Sequence, residues 1–124
     1  GFCFDRKEAK DHGEGGLFVG QELKDGDRVA IIEDVMTSGK ALRETLPKLA
    51  QAADVRVEAM IISVDRQERG TGEKSAVQEA YDEFGIRVYA IVTMEDIITA
   101  IEEGVIGGKE YLQAMKDYRS RYGA

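Results

Sequence analysis

A chain of 124 residues, 43% hydrophobic and 33% charged with a formal net charge of −7, has room for one domain with a real core and little for a second. The acidic balance argues against a general nucleic-acid binder, and no apolar run reaches the length of a membrane span. A lone cysteine, Cys3, excludes an intramolecular disulfide and leaves no Cys/His metal-ligand spacing, so a reducing, cytoplasmic setting is expected.

In chain order, "GFCF" (1–4) reads as the end of a strand. The chain opens on it without an initiating Met or a signal-peptide pattern, which leads us to expect a truncated polypeptide. Residues 5–16, "DRKEAKDHGEGG", hold three glycines and seven charged side chains with no apolar periodicity, the composition of a long mobile loop. Arg6, Lys7, Lys10 and His12 gather positive charge there in an otherwise acidic protein. "LFVGQEL" (17–23) is a short strand, and Asp25-Gly26 a turn.

"RVAIIE" (28–33) is a continuous apolar run suited to a sheet covered on both faces. After Gly39, Leu42, Leu46, Leu49 and Ala53 fall at helical spacing, with Pro47 inside the pattern and expected to kink it. "VRVEAMIISV" (55–64) is a second long strand, followed by the polar loop "DRQERGTGE". A helix over 74–84 places Val77, Ala80, Tyr81 and Phe84 on one face and stops at Gly85. "IRVYAIV" (86–92) is a third buried strand, and Thr93 reads as the N-cap of a helix over 94–103. Past Gly107-Gly108 a final helix carries Tyr111, Met115, Tyr118 and Tyr122 in one stripe, read as core or interface packing. Strand and helix alternate, which predicts an α/β fold with a parallel sheet and helices on its faces.

In such sheets ligands bind beyond the carboxyl ends of the strands. "EDVMTSGK" (33–40) occupies that place. Met36, Thr37, Ser38, Gly39 and Lys40 can wrap backbone N–H groups around an anion at a helix N-terminus, with two hydroxyls as further donors. Glu33 and Asp34 would repel that anion unless they face another part of the ligand. A ribose resolves the conflict, because its vicinal hydroxyls donate to carboxylates, and the stretch reads as a site for a phosphorylated ribose. A Walker loop does not fit, since Asp34 and Ala41 stand where Gly and Ser or Thr are required. The plainer alternative, in which the acids end a strand and cap a helix, stays open on spacing alone.

These residues resemble a known family. "VAIIEDVMTSGKAL" (29–42) is similar to the phosphoribosyl pyrophosphate motif of type I phosphoribosyltransferases. "RKEAKDHGEGG" resembles the catalytic loop of the orotate phosphoribosyltransferases among them, and "SVDRQERG" their base-binding segment. The likeness covers almost the whole chain as one domain portion, 1–124, with the loop at 5–16 and the donor motif at 28–41.

The resemblance implies a Rossmann-like phosphoribosyltransferase fold without the N-terminal hood and first strands. It implies transfer of a phosphoribosyl group from phosphoribosyl pyrophosphate to orotate, giving orotidine 5′-monophosphate and pyrophosphate. Arg6, Lys7, Lys10 and His12 would meet the pyrophosphate, with Lys10 the main loop catalyst. Glu33 and Asp34 would hold the ribose hydroxyls, while Val35 to Ala41, chiefly Met36 to Lys40, would cradle the 5-phosphate. Thr37 and Arg66 would touch orotate, Arg66 through the carboxylate. Magnesium would bind mainly through the donor, with no dedicated protein ligand set. A homodimer is implied, its loop 5–16 reaching the neighbouring site, and neither nucleic acid nor membrane is a partner. The family more often has Asp-Asp where Glu33-Asp34 stands. Another phosphoribosyltransferase, or a non-catalytic module that senses the same donor, is the alternative. The missing N-terminal contacts imply that these 124 residues alone are inactive.

Overall fold

The computed structural model describes residues 1–5 and 16–124. β1 (Cys3–Asp5) and β2 (Phe18–Gly20) pair antiparallel as a small separate sheet. The rest of the fold is built on β3 (Arg28–Val35), β4 (Arg56–Asp65) and β5 (Arg87–Thr93), in the order β3-β4-β5 with both pairings parallel. The parallel α/β architecture expected from the alternation is present. β3 runs two residues further than the apolar run, because Val35 still pairs with Val64.

α1 (Lys40–Ala52) and α2 (Ala76–Phe84) cover one face of this sheet. Leu42 of α1 and Ala76 and Ala80 of α2 close over Met60 and Ile62, and Leu42, Met60 and Ile62 are wholly buried. Pro47 does not interrupt α1. It lies on the exposed side, and the helix continues past it until Ala53 N–H donates to the Leu49 carbonyl at 3.1 Å. α2 starts two residues later than the expected 74, where the Ser75 hydroxyl accepts from Gln78 N–H, and it stops at Gly85 with φ 68°.

Thr93 caps α3 (Met94–Glu102) in a reciprocal box with Asp96, and the cap's hydrogen bonds hold the Asp96 carboxyl below its usual range. Lys109–Tyr111 forms a single 3₁₀ turn that leads into α4 (Leu112–Tyr122). No described helix is long and apolar enough to cross a membrane.

One expectation fails here and a second is narrowed. The strands were read as covered on both faces, yet Ile32 (77% exposed), Tyr89 and Ile91 stand open on the face away from α1 and α2. Apolar residues on both sides of a strand report what the sheet is able to bury, not which partner lies within the same 124 residues. Of the two readings of the stripe Tyr111, Met115, Tyr118 and Tyr122, core or interface packing, the core one is excluded: none of α4 is buried and all three tyrosines are exposed. Periodicity marked the face correctly, but the tyrosine hydroxyls let it remain wet.

The bare face gives a direct contrast. Ile32→Lys should leave the melting temperature of the 124-residue chain nearly unchanged and reduce its binding of a hydrophobic dye. Ile62→Ala, on the central strand but fully enclosed, should cost about 2–5 kcal/mol. Equal loss of stability from both would contradict the assignment of faces.

Candidate active site

Parallel pairing delivers the exits of β3, β4 and β5 side by side, since Val35 pairs with Val64 and Val64 with Val92. The segment Met36–Gly39 leaves β3, Arg66 follows β4, and α3 begins directly after β5. Neighbouring strands lie about 5 Å apart, so these segments share one edge of the sheet.

Glu33 and Asp34 are the sixth and seventh residues of β3, not residues beyond its exit. Alternation along the strand therefore turns them to opposite faces. Glu33 is half-buried on the packed side with Ile31 and Val35, and Asp34 is exposed on the other. Asp34 Oδ1 accepts from the N–H of Val35 at 2.6 Å. Burial is the main cause that raises the Glu33 carboxyl above its ordinary range, and the negative charges of Asp34 and Asp5 add to it. The adjacent acids are thus separated by the pleat, and Glu33 is held at a cost.

The start of α1 differs from those of α2 and α3. Both of the latter have a side-chain cap, Ser75 and Thr93. α1 begins at Gly39 with φ 68°, with no side-chain cap among the described residues and no acid in its first turn. Its first N–H groups and the positive end of its dipole are left to whatever ligand arrives. Gly39 is buried and in the left-handed region, a conformation that costs an L-residue about 1–2 kcal/mol. Thr37 and Lys40 are exposed, Ser38 half-buried, and Met36 anchors the segment in the core at 5% exposure. Ala41 is half-buried just inside the helix. Lys40 lies 3.6 Å from Glu44 one turn on, a loose pair that leaves its charge available.

Arg43 was not foreseen from the sequence. Its Nη1 donates to the Ser38 carbonyl at 2.6 Å, and Nε and Nη2 donate to Glu83 of α2 at 3.2 and 2.5 Å. It locks the segment before α1 to the next helix. No motif announces such a brace, which depends on α1 and α2 packing side by side.

Arg66 sits at the β4 exit with its side chain 33% exposed. Its Nε lies 3.3 Å from Glu68 Oε1, close enough for an ion pair, but the angle is wrong for a hydrogen bond and this buried nitrogen is unpaired among the described residues. We treat the contact as charge proximity only. Thus Glu33 to Ala41 and Arg66 are brought to one edge. Arg6, Lys7, Lys10 and His12 lie outside the described residues. Among the described residues no group of three metal-ligating side chains exists.

The arrangement offers an uncapped helix start for a phosphate, carboxylates beside it for hydroxyl donors, and a guanidinium one strand away for a second anion. No family model matches the chain. It is 45% identical over 128 aligned positions to the orotate phosphoribosyltransferase of Clostridium beijerinckii and 48% identical over 122 to that of Edwardsiella ictaluri. These alignments take in 99% and 98% of this chain but only 57% and 55% of the relatives. Among solved structures, orotate phosphoribosyltransferase from Francisella tularensis superposes with a TM-score of 0.71 at 32% identity, over 98% of this chain and 55% of that one. The chain has the phosphoribosyltransferase fold and matches orotate phosphoribosyltransferases along nearly its whole length, while spanning little more than half of theirs.

The elevated Glu33 carboxyl sets a pH test. A folded-state value above the unfolded one penalises the ionised native protein; the penalty is absent below the unfolded range near 4.5 and complete above the folded value. Glu33→Gln should therefore stabilise the protein at pH 7 and lose that advantage as pH falls through this window. A gain that persists undiminished at pH 3.5 would mean that the carboxylate charge is not the cause.

Proposed function

We propose that this chain is the ribose-phosphate and orotate-recognition portion of an orotate phosphoribosyltransferase, which joins orotate to phosphoribosyl pyrophosphate and releases orotidine 5′-monophosphate and pyrophosphate. The observation that carries the reading is the uncapped start of α1 directly after the Glu33-Asp34 pair, with Arg66 at the next strand exit.

In this reading the 5-phosphate takes the N–H groups of Met36 to Lys40, and the dipole of α1 favours its charge. Glu33 and Asp34 accept from the ribose hydroxyls, which offsets the burial and repulsion that raise the Glu33 carboxyl. Arg66 pairs with the orotate carboxylate and Thr37 donates to the base, so the ring nitrogen approaches the anomeric carbon. As the bond to pyrophosphate breaks, positive charge develops on the sugar and negative charge on the leaving group. Arg6, Lys7, Lys10 and His12 stabilise the latter, where preorganised cations act most strongly.

Magnesium fits this donor set only as a substrate-held ion. Among the described residues no three metal-ligating side chains come together to hold a metal on their own, and a metal of this kind keeps few protein ligands. When bound with the donor it supplies charge neutralisation on the phosphates. Two copies of the chain, each lending segment 5–16 to the other's site, complete the proposal.

Orotate-dependent release of pyrophosphate by the whole protein tests the reaction. Lys10→Ala should lower kcat by roughly a hundredfold, the scale of one transition-state donor. Mixed with an Asp34→Asn variant and allowed to exchange subunits, it should recover activity, because one site of the mixed dimer then has both residues. No recovery would place segment 5–16 on its own subunit's site, and no turnover by the parent protein would refute the reaction.

A further inference from the structure

The segment that carries Arg66 is held by the end of α4, more than fifty residues away in sequence. Arg69 N–H donates to the Tyr122 carbonyl at 2.9 Å and Ala124 N–H to the Gln67 carbonyl at 3.0 Å, with Glu68 bridging Gly123 between them. Gln67 has φ 56°, a left-handed conformation that a non-glycine residue keeps only when its surroundings impose it. Its N–H donates to Asp65 at 2.8 Å and its side-chain oxygen accepts from the N–H of Glu95 at the start of α3, so the turn is tied on three sides.

Within this frame the side chains form a line. The Tyr118 hydroxyl donates to Glu68 Oε1 at 2.7 Å, and its ring rests against Tyr122 with centroids 4.7 Å apart. The same Oε1 lies 3.3 Å from Arg66 Nε. The side chain of Glu68 is only 14% exposed, which makes its charge effective on the guanidinium.

We propose that Tyr118 and Glu68 are positioning residues for Arg66, which hold its guanidinium so that the terminal nitrogens are free to take the carboxylate of the incoming base. This rests on the reading of Arg66 as the orotate ligand. The physical reason is competition. The charge of a carboxylate engaged by Tyr118 and set beside Nε draws that edge of the guanidinium towards it without occupying the fork that a planar anion needs. Without the tyrosine hydroxyl, Glu68 is free to swing onto that fork and compete with the substrate. An exposed tyrosine stripe thereby acquires a role that packing does not give it.

The test is steady-state kinetics of the whole protein with Tyr118→Phe, Arg66→Ala and the double variant, each checked for melting temperature. Tyr118→Phe should raise the orotate KM about fivefold, the scale of one hydrogen bond, with kcat and the donor KM within about twofold of the parent. Arg66→Ala should raise the orotate KM further, and adding Tyr118→Phe to it should cost nothing more. An unchanged orotate KM in Tyr118→Phe, beside a raised one in Arg66→Ala, overturns the positioning role and leaves the reading of Arg66 intact. An unchanged orotate KM in Arg66→Ala refutes that reading, and the positioning role with it. If Tyr118→Phe raises both KM values together or lowers the melting temperature along with kcat, the tyrosine is structural and the proposal fails.

Discussion

Parallel pairing of β4 with both of its neighbours is the constraint on which the site depends. Met60 and Ile62 on this central strand are wholly buried, and the register that aligns Glu33 with Ile62 and Val35 with Val64 fixes where each strand ends. A parallel sheet sends all its exits to one edge. The segment 36–39, Arg66 and the start of α3 are neighbours for that reason. A register shift of one residue would exchange the faces of Glu33 and Asp34 and move a carboxylate to the wrong side.

Around this frame the protein spends local stability on readiness. α2 and α3 satisfy their first N–H groups with Ser75 and Thr93, whereas α1 leaves its own open and uses a left-handed glycine to enter the helix. Glu33 is held half-buried near two other acids. Arg66 keeps a buried nitrogen unpaired among the described residues. The first two features are unfavourable on their own, and in the proposed reading a phosphate relieves the one and a ribose hydroxyl the other. Two separate costs with one common remedy, a phosphorylated ribose, argue more strongly than either alone. Arg43, bonded to Ser38 and Glu83, ties the uncapped segment to α2.

Much of this was legible in the sequence. The three strands and the helices between them follow from apolar runs and helical spacing, and the caps at Thr93 and Gly85 from residue chemistry. The donor motif stood out because two acids before a small polar loop have few uses. What escaped was set by contacts between distant segments. That Glu33 and Asp34 lie within β3, on opposite faces, depends on where pairing with β4 stops. That the apolar outer face of the sheet is bare depends on what else the protein contains. Arg43 and the line from Tyr118 to Arg66 join residues 40 and 52 positions apart, beyond the reach of any local pattern. The tyrosine stripe was seen, but periodicity alone does not distinguish a packed face from a bracing one.

The central claim is that the open start of α1 receives the phosphate while the acids beside it take the sugar. Its most direct measurement is a titration of the isotopically labelled whole protein with ribose 5-phosphate, followed through the backbone amide resonances. The account predicts saturable shifts concentrated on the amides of Thr37 to Ala41 and on Glu33 and Asp34, with inorganic phosphate moving only the first group. Shifts centred elsewhere, or an undisturbed α1 start at saturation, would contradict it.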